Sequence, residues 1–219
     1  MNEAIKGELL TDKAYQALVS ALRTGTLRNG QFVSMSQLVD LLEYPIAPVR
    51  EAVKQGSAQG FLSTLPKRGV QVLEASPDII RECLDTRMVL DQEGTRRRIS
   101  GGDLEGLDDL QRRHETLLEE ATGDSAGHLP SKAIRVDLSL HDYLAEGLGN
   151  SQLAAAYDSN RIRIAIIQNA RPFLHDRIVS AMEEHLAVID ALKKRDAAAA
   201  TAALKHHCDQ TLRWWGVVA

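Results

Sequence analysis

Cysteine is nearly missing: Cys83 and Cys208 are the only two in 219 residues, and they stand far apart in the chain. Two distant thiols cannot make a disulfide framework, so reduced cysteines in a reducing compartment are expected. Long apolar runs are missing too. No segment approaches the roughly eighteen uninterrupted apolar residues of a membrane helix, and Met1–Gly7 lacks the basic-then-apolar pattern of a secretory leader. A soluble, cytoplasmic protein with no membrane partner is the expectation. The Pro/Gly/Ser bias of disordered chains is absent as well. At 44% hydrophobic and 26% charged residues, the composition is that of a globular protein long enough for one large or two modest domains.

Nor is there a general excess of positive charge, since the formal net charge is -4. That excludes a protein coated in cationic surface, yet the average conceals a division. Residues 1–72 hold eight Lys/Arg against six Asp/Glu, leaving eighteen basic and twenty-four acidic residues for the remainder. A nucleic-acid reader joined to an acidic regulatory domain has this asymmetry, although a difference of this size alone decides nothing.

Over 12–22 the apolar residues Ala14, Leu18, Ala21 and Leu22 recur at helical spacing, and Gly25 follows as a stop. The stretch 27–33 contains the turn signal Asn29-Gly30 and reads as a connector. Ser34 stands as an N-cap with Gln37 as its capping-box partner, ahead of Leu38, Leu41 and Leu42. Pro45 and Pro48 bracket the start of a third helix, where first-turn amides need no intrahelical acceptor. Its buried stripe is Val49, Ala52 and Val53, while Arg50, Lys54 and Ser57 share another face. After Gly60, Phe61–Leu65 and Gly69–Val72 are strand-like around a basic tip, Pro66-Lys67-Arg68. Beyond Ser76-Pro77-Asp78 nearly everything reads as helix, over 76–99, 103–121, 131–148, 151–170, 172–194 and 196–214, the last capped by Asp196. The expected fold is mainly α: a winged helix-turn-helix over 1–74 and an all-α helical bundle over 75–219.

A helix presenting Arg50 and Lys54 can lie in a major groove while Lys67 and Arg68 reach the neighbouring backbone. The competing reading is a solvated basic face. The wording of the segment adds to the case. Gly25, Gly30, Leu38, Pro48-Val49-Arg50-Glu51-Ala52, Gly60-Phe61-Leu62 and Arg68-Gly69 together resemble the DNA-binding domain of the GntR family. The resemblance implies a one-component transcription factor, by family default a repressor relieved by a metabolite. Its DNA-contacting residues would be Ser36, Arg50, Lys54, Lys67, Arg68 and Gly69. Two departures imply fewer or different operator contacts. Pro45-Ile46-Ala47 replaces a Ser-Arg-Thr-like triplet, and Ser36 replaces a basic residue.

A second constellation lies in the C-terminal part. Asp137 and His141, at i and i+4, leave one helix on one face, as a chelating pair must. His185 lies ten residues before Arg195 and His207 eleven after Asp196, so a helical hairpin turning there sets both at one height. Mixed nitrogen and oxygen ligands inside a bundle suit Zn, Ni, Mn or Fe. Against this, seven histidines make accidental spacings easy, and His206 competes with its neighbour, since one residue is about 100° of helix rotation. The stretch from Asp137 to His141, with Gly149-Asn150, Glu184-His185 and Asp196 through His207, resembles the FCD effector domain. That resemblance selects His207 and implies a divalent metal, Zn first, on Asp137, His141, His185 and His207. It also implies a small-molecule effector, an organic acid, beside the metal. Arg87, followed by Leu90-Asp91, matches an arginine of the family's opening pattern and is the first candidate to fork its carboxylate. Arg163 is the second.

His114, His128 and His175 are expected at the surface, Arg96-Arg97-Arg98 as a solvated run, Cys208 as a buried thiol, and Trp214-Trp215 in core or dimer packing. A homodimer on an imperfect palindrome of double-stranded DNA follows from the need for two half-sites. The rival readings are a metal-dependent hydrolase or lyase, which leaves the N-terminal pattern unexplained, and an interaction module with a degenerate DNA-binding domain.

Overall fold

The computed structural model describes residues 9–123, 129–171 and 173–217. Met1–Gly7, where no secretory pattern is read, the expected surface residue His128, and Pro172, before which a helix break is expected, lie outside the described residues. The chain divides into two compact units, one holding residues up to Ser76 together with Ile162–Ala170, the other the remainder.

The first unit runs α1 (Leu10–Arg23), β1 (Phe32–Val33), α2 (Met35–Leu42), α3 (Ile46–Ala58), β2 (Leu62–Leu65) and β3 (Gly69–Val72). Ser34 and Gln37 close the expected capping box on α2, with Gln37 Oε1 accepting from the Ser34 amide at 2.8 Å. The strands pair antiparallel in the order β1-β3-β2. Leu62 pairs with Val72 and Leu65 with Gly69, which makes the wing a hairpin. β1 lies in the stretch read as a connector. Two residues cannot display alternation, so that strand is visible only through its partner β3. Leu18, Leu22, Leu38, Val49, Phe61 and Val70 fill the core, and Ile166 joins them from the far end of the chain.

The second unit contains α4 (Pro77–Gly101), α5 (Leu107–Thr122), α6 (Leu129–Glu146), the first part of α7 (Ser151–Ala170), α8 (His175–Lys193) and α9 (Ala197–Trp214). The Asn150 side chain accepts from the amides of Gln152 and Leu153 to open α7. Asp196 accepts from Ala199 to open α9. α5 starts later than the spacing predicts, because Asp103 is held outside it by Arg98. Arg98 itself corrects the solvated run. It is 5% exposed, donates to the Tyr143 carbonyl and to Glu146, and lies 3.8 Å from the Tyr143 ring centre. The sequence shows three adjacent cations; the bundle buries the third and half-buries the second, which donates to the Leu148 carbonyl, leaving Arg96 exposed.

α4 and α6 cross so closely that a Cβ on Gly94 would run into the backbone carbonyl of Leu144. This approach sits three residues beyond both Asp91 and His141, one on each helix. Gly94→Ala gains about 1 kcal/mol of helix propensity. It incurs overpacking of about 1–3 kcal/mol, because a backbone carbonyl cannot rotate aside as a side chain can. Net destabilisation is expected as a lower urea midpoint; a midpoint at or above the parent's contradicts it.

Candidate functional site

In the first unit, α3 buries Val49, Ala52, Val53 and Gly56. Arg50 and Lys54 are exposed on the opposite side. Lys54 pairs with Glu51 at 3.2 Å, but both side chains are more than half exposed, so the pair is weak and leaves the cation available. Ser36 is exposed at the start of α2, 3.0 Å from the Ser34 hydroxyl. Lys67 and Arg68 are exposed on the wing tip, where Lys67 takes a φ of 63°. Gly69 has a steric reason to be glycine: its φ is 100°, and a Cβ would stand 2.5 Å from the Val33 carbonyl oxygen. Arg163 belongs to this unit, where it donates to the Gln59 carbonyl at 2.6 Å.

In the second unit, Asp137, His141, His185 and His207 converge, each offering one ligand atom within 4.8 Å of the others. Asp137 and His141 come from one face of α6, His185 from α8 and His207 from α9. All four are buried, with His185 fully so. Nε2 of His185 lies 3.2 Å from Nε2 of His207 and 3.5 Å from Asp137 Oδ1. His206 is exposed, so the ambiguity between the neighbours resolves geometrically in favour of His207. Arg87, also buried, places Nη2 3.4 Å from His207 Nε2.

Each imidazole is held from behind. Nδ1 of His141 lies 2.7 Å from Asp91 Oδ2, and Nδ1 of His207 lies 2.7 Å from Glu184 Oε2. Glu184 also accepts from Arg177, which donates in turn to the Thr211 hydroxyl. Nδ1 of His185 lies 3.1 Å from Nε2 of His114, whose own Nδ1 is 2.8 Å from the Leu110 carbonyl. His114 thus corrects its reading as a surface residue: it is fully buried. Its position was legible, because Leu107, Leu110, His114, Leu117 and Ala121 form one buried stripe on α5. Asp91 and Arg87 lie on the corresponding stripe of α4. Glu184 is harder to find, since it serves a histidine on another helix rather than its neighbour His185. Cys208 is buried as expected, its thiol pushed up to about 11 by burial, and His175 is exposed.

Burial holds His141 and His207 down to about 3 and His185 well below the usual range, with neighbouring positive groups adding to the shift. Neutral imidazoles are what metal ligation needs. Burial would raise Glu184, but hydrogen bonds from His207 and Arg177 keep it below the ordinary carboxylate range. Burial pushes Asp91 well up, opposed by Arg87 and reinforced by Asp137 and Asp142. With Nδ1 of His141 and of His207 on carboxylates, their Nε2 lone pairs turn inward, that of His207 towards Arg87 Nη2 and His185 Nε2. The buried Nε2 of His141 has no hydrogen-bond partner. Two acceptors 3.2 Å apart cannot satisfy each other. A divalent cation at their meeting point would satisfy all three and draw Asp91 into its charged form, so the donor set fits such an ion.

The Arg177–Glu184 pair, 2.7 Å apart and buried on both sides, lends itself to a direct test of this scaffold. Arg177→Met leaves Glu184 buried without its cation and is expected to cost about 3–5 kcal/mol in chemical denaturation. A loss under about 1 kcal/mol would mean that the Glu184–His207 contact does not depend on the arginine.

Compared with known proteins, residues 82–210 match the FCD domain family. The chain is 26% identical over 210 residues to BphR of Paraburkholderia xenovorans (strain LB400), described as an uncharacterized HTH-type transcriptional regulator. That match covers 93% of this chain and 84% of BphR. Among solved structures, E. coli McbR/YncC superposes with a TM-score of 0.78 at 19% identity, covering 96% of this chain and 98% of that one. A putative transcriptional regulator GntR from Rhodococcus sp. RHA1 gives 0.75 at 20% identity, covering 95% and 99%. At these identities the two structures bear on fold: a winged helix-turn-helix with a helical FCD domain.

Proposed function

Because the chain belongs to the FCD-domain family of GntR-type transcriptional regulators, we propose that it is a cytoplasmic homodimeric repressor whose operator binding is controlled by a small organic acid. The proposed site for that acid is the metal-binding cluster of the second unit. The observation that carries this reading is the convergence of three Nε2 atoms and Asp137, with His141 Nε2 partnerless and Arg87 alongside. A divalent metal held by Asp137, His141, His185 and His207 would supply a Lewis-acidic anchor for a carboxylate; Zn ranks first, with Ni, Mn or Fe as alternatives. Arg87 would orient the carboxylate through its planar fork of donors. Asp91, Glu184 and His114 hold the imidazoles in place, and burial keeps water from competing. Nothing in this chemistry requires turnover, and the relatives are transcription regulators, so a binding site is favoured over a hydrolase or lyase.

In the first unit, α3 is the proposed recognition helix and the β2–β3 hairpin the wing. Arg50 and Lys54 would meet base edges and phosphates, Lys67 and Arg68 the neighbouring backbone, and Ser36 a phosphate. Gly69 contributes by permitting the hairpin. A dimer lets two such units read the half-sites of an imperfect palindrome.

Arg50→Ala is expected to weaken operator binding by about 1–3 kcal/mol if its contact is bidentate to a base. Lys67→Ala should cost less and chiefly flatten the salt dependence. Fluorescence anisotropy with upstream DNA at several salt concentrations reads both, and parental affinity in Arg50→Ala removes α3 from the interface. For the second unit, elemental analysis and effector titration should show metal content and acid binding lost together in His185→Ala and His207→Ala. His206→Ala should keep both. Metal retention in all three would remove the site.

A further inference from the structure

The cluster holds its third imidazole differently from the other two. His141 and His207 back onto carboxylates, whereas His185 backs onto another imidazole, that of His114. The Leu110 carbonyl 2.8 Å from Nδ1 of His114 can only accept, so this nitrogen carries the proton. His114 is fully buried with a carbonyl rather than a carboxylate at Nδ1, conditions that favour its neutral form. Its Nε2 is then an acceptor, and it takes the proton of His185 Nδ1 at 3.1 Å. His185 is left with a bare Nε2 pointing at Asp137 and His207.

We propose that His114 is a positioning residue that selects the Nδ1-protonated tautomer of His185 and so keeps its Nε2 available to a metal. The inference rests on the metal reading above and goes beyond its four ligands. Its force comes from what happens without His114. A proton on Nδ1 of His185 would be buried and unpaired, so the other tautomer takes over. In that tautomer Nε2–H points to Asp137 Oδ1 and His207 Nε2, both within 3.5 Å, and the cluster satisfies itself with internal hydrogen bonds. His114 therefore prevents the cluster from closing on its own protons. An orienting partner of this kind typically changes metal affinity by about 10–100-fold.

The test compares the parent, His114→Leu and His114→Gln. Leucine fills the buried space without accepting a hydrogen bond, and glutamine carries an acceptor oxygen at similar reach. Three measurements are needed: Zn affinity by chelator competition, the ¹⁵N shifts of His185 in metal-free protein, and thermal melting of the metal-free forms. In the parent, His185 should be protonated at Nδ1. In His114→Leu the proton should move to Nε2, with Zn affinity lower by about 10–100-fold, and His114→Gln should restore both readouts. A folded His114→Leu that binds Zn as the parent does would overturn the proposal, as would a glutamine variant that fails as badly as leucine. The parental tautomer requires no variant, so a proton on Nε2 there overturns the proposal even where His114→Leu does not fold. A parent with the expected tautomer that binds neither Zn nor Co defeats the metal reading and leaves the tautomer assignment intact.

Discussion

The second unit is organised around three buried imidazoles that meet at one point, where His141 Nε2 has no hydrogen-bond partner and His207 Nε2 has only the long contact to Arg87 and the facing nitrogen of His185. Taking several ionisable groups out of water costs several kcal/mol for each charge unless partners replace the solvent. The helices supply those partners from every side. α4 contributes Arg87 and Asp91, α5 His114, α6 Asp137 and His141, α8 Arg177, Glu184 and His185, and α9 His207 and Thr211. The apolar clusters lie around this polar centre: Leu140, Leu144, Val188 and Leu204 in one, Ala133, Val136, Ile178 and Met182 in another. The close crossing at Gly94 belongs to the same design, because a wider separation of α4 and α6 would take Asp91 off His141.

The first unit obeys a plainer rule. Its core is apolar, and the groups able to meet nucleic acid are left on the surface, anchored by backbone geometry rather than by polar networks. Glycine at 69 lets β3 approach β1, which sets the wing tip carrying Lys67 and Arg68. Ile166, Arg163 and Asn169 from α7 complete the unit. Arg163 donates to the Gln59 carbonyl at the end of α3, and Asn169 to the carbonyls of Leu22 and Arg23 at the end of α1. Helix ends leave carbonyls without intrahelical donors, and these two side chains satisfy several of them.

Most of this was legible where local chemistry is strong. The capping box at Ser34, the cap at Asp196, the i, i+4 pair of Asp137 and His141 and the basic wing tip all depend on short spacings, and the structure places them as read. What was not legible depends on distant partners. β1 exists because β3 lies beside it, and Arg98 is buried because Tyr143 and Glu146 receive it. The allocation of Ile162–Ala170 to the first unit reflects contacts with residues more than a hundred positions away. His114 is the instructive error. By chelating spacing it has no partner in the sequence, which points to the surface. Its place on the apolar stripe of α5 already marked it as buried, and a buried histidine needs partners at both nitrogens.

Charge balance carries the cluster one step further. Asp91, Asp137 and Glu184 are the carboxylates around the imidazoles, and Arg87 and Arg177 the cations facing them. With every acid ionised, the group carries one excess negative charge, and burial already pushes the Asp91 carboxyl towards its neutral form. A dication held there would turn that excess into one positive charge and favour the ionised form of Asp91 against the burial that opposes it. A buried site with one uncompensated positive charge then favours an anion over a neutral molecule, because an unpaired charge in a low dielectric is the costlier state. Arg177 is committed to Glu184 and Thr211, whereas the hydrogen bond seen for Arg87 among the described residues is a long one, 3.4 Å to a nitrogen that metal binding would occupy. Arg87 would therefore be the donor left to receive the proposed anion. On the proposed reading a cation bound first would favour the acid, since the metal-free group, negative or neutral according to the state of Asp91, offers an anion no net attraction.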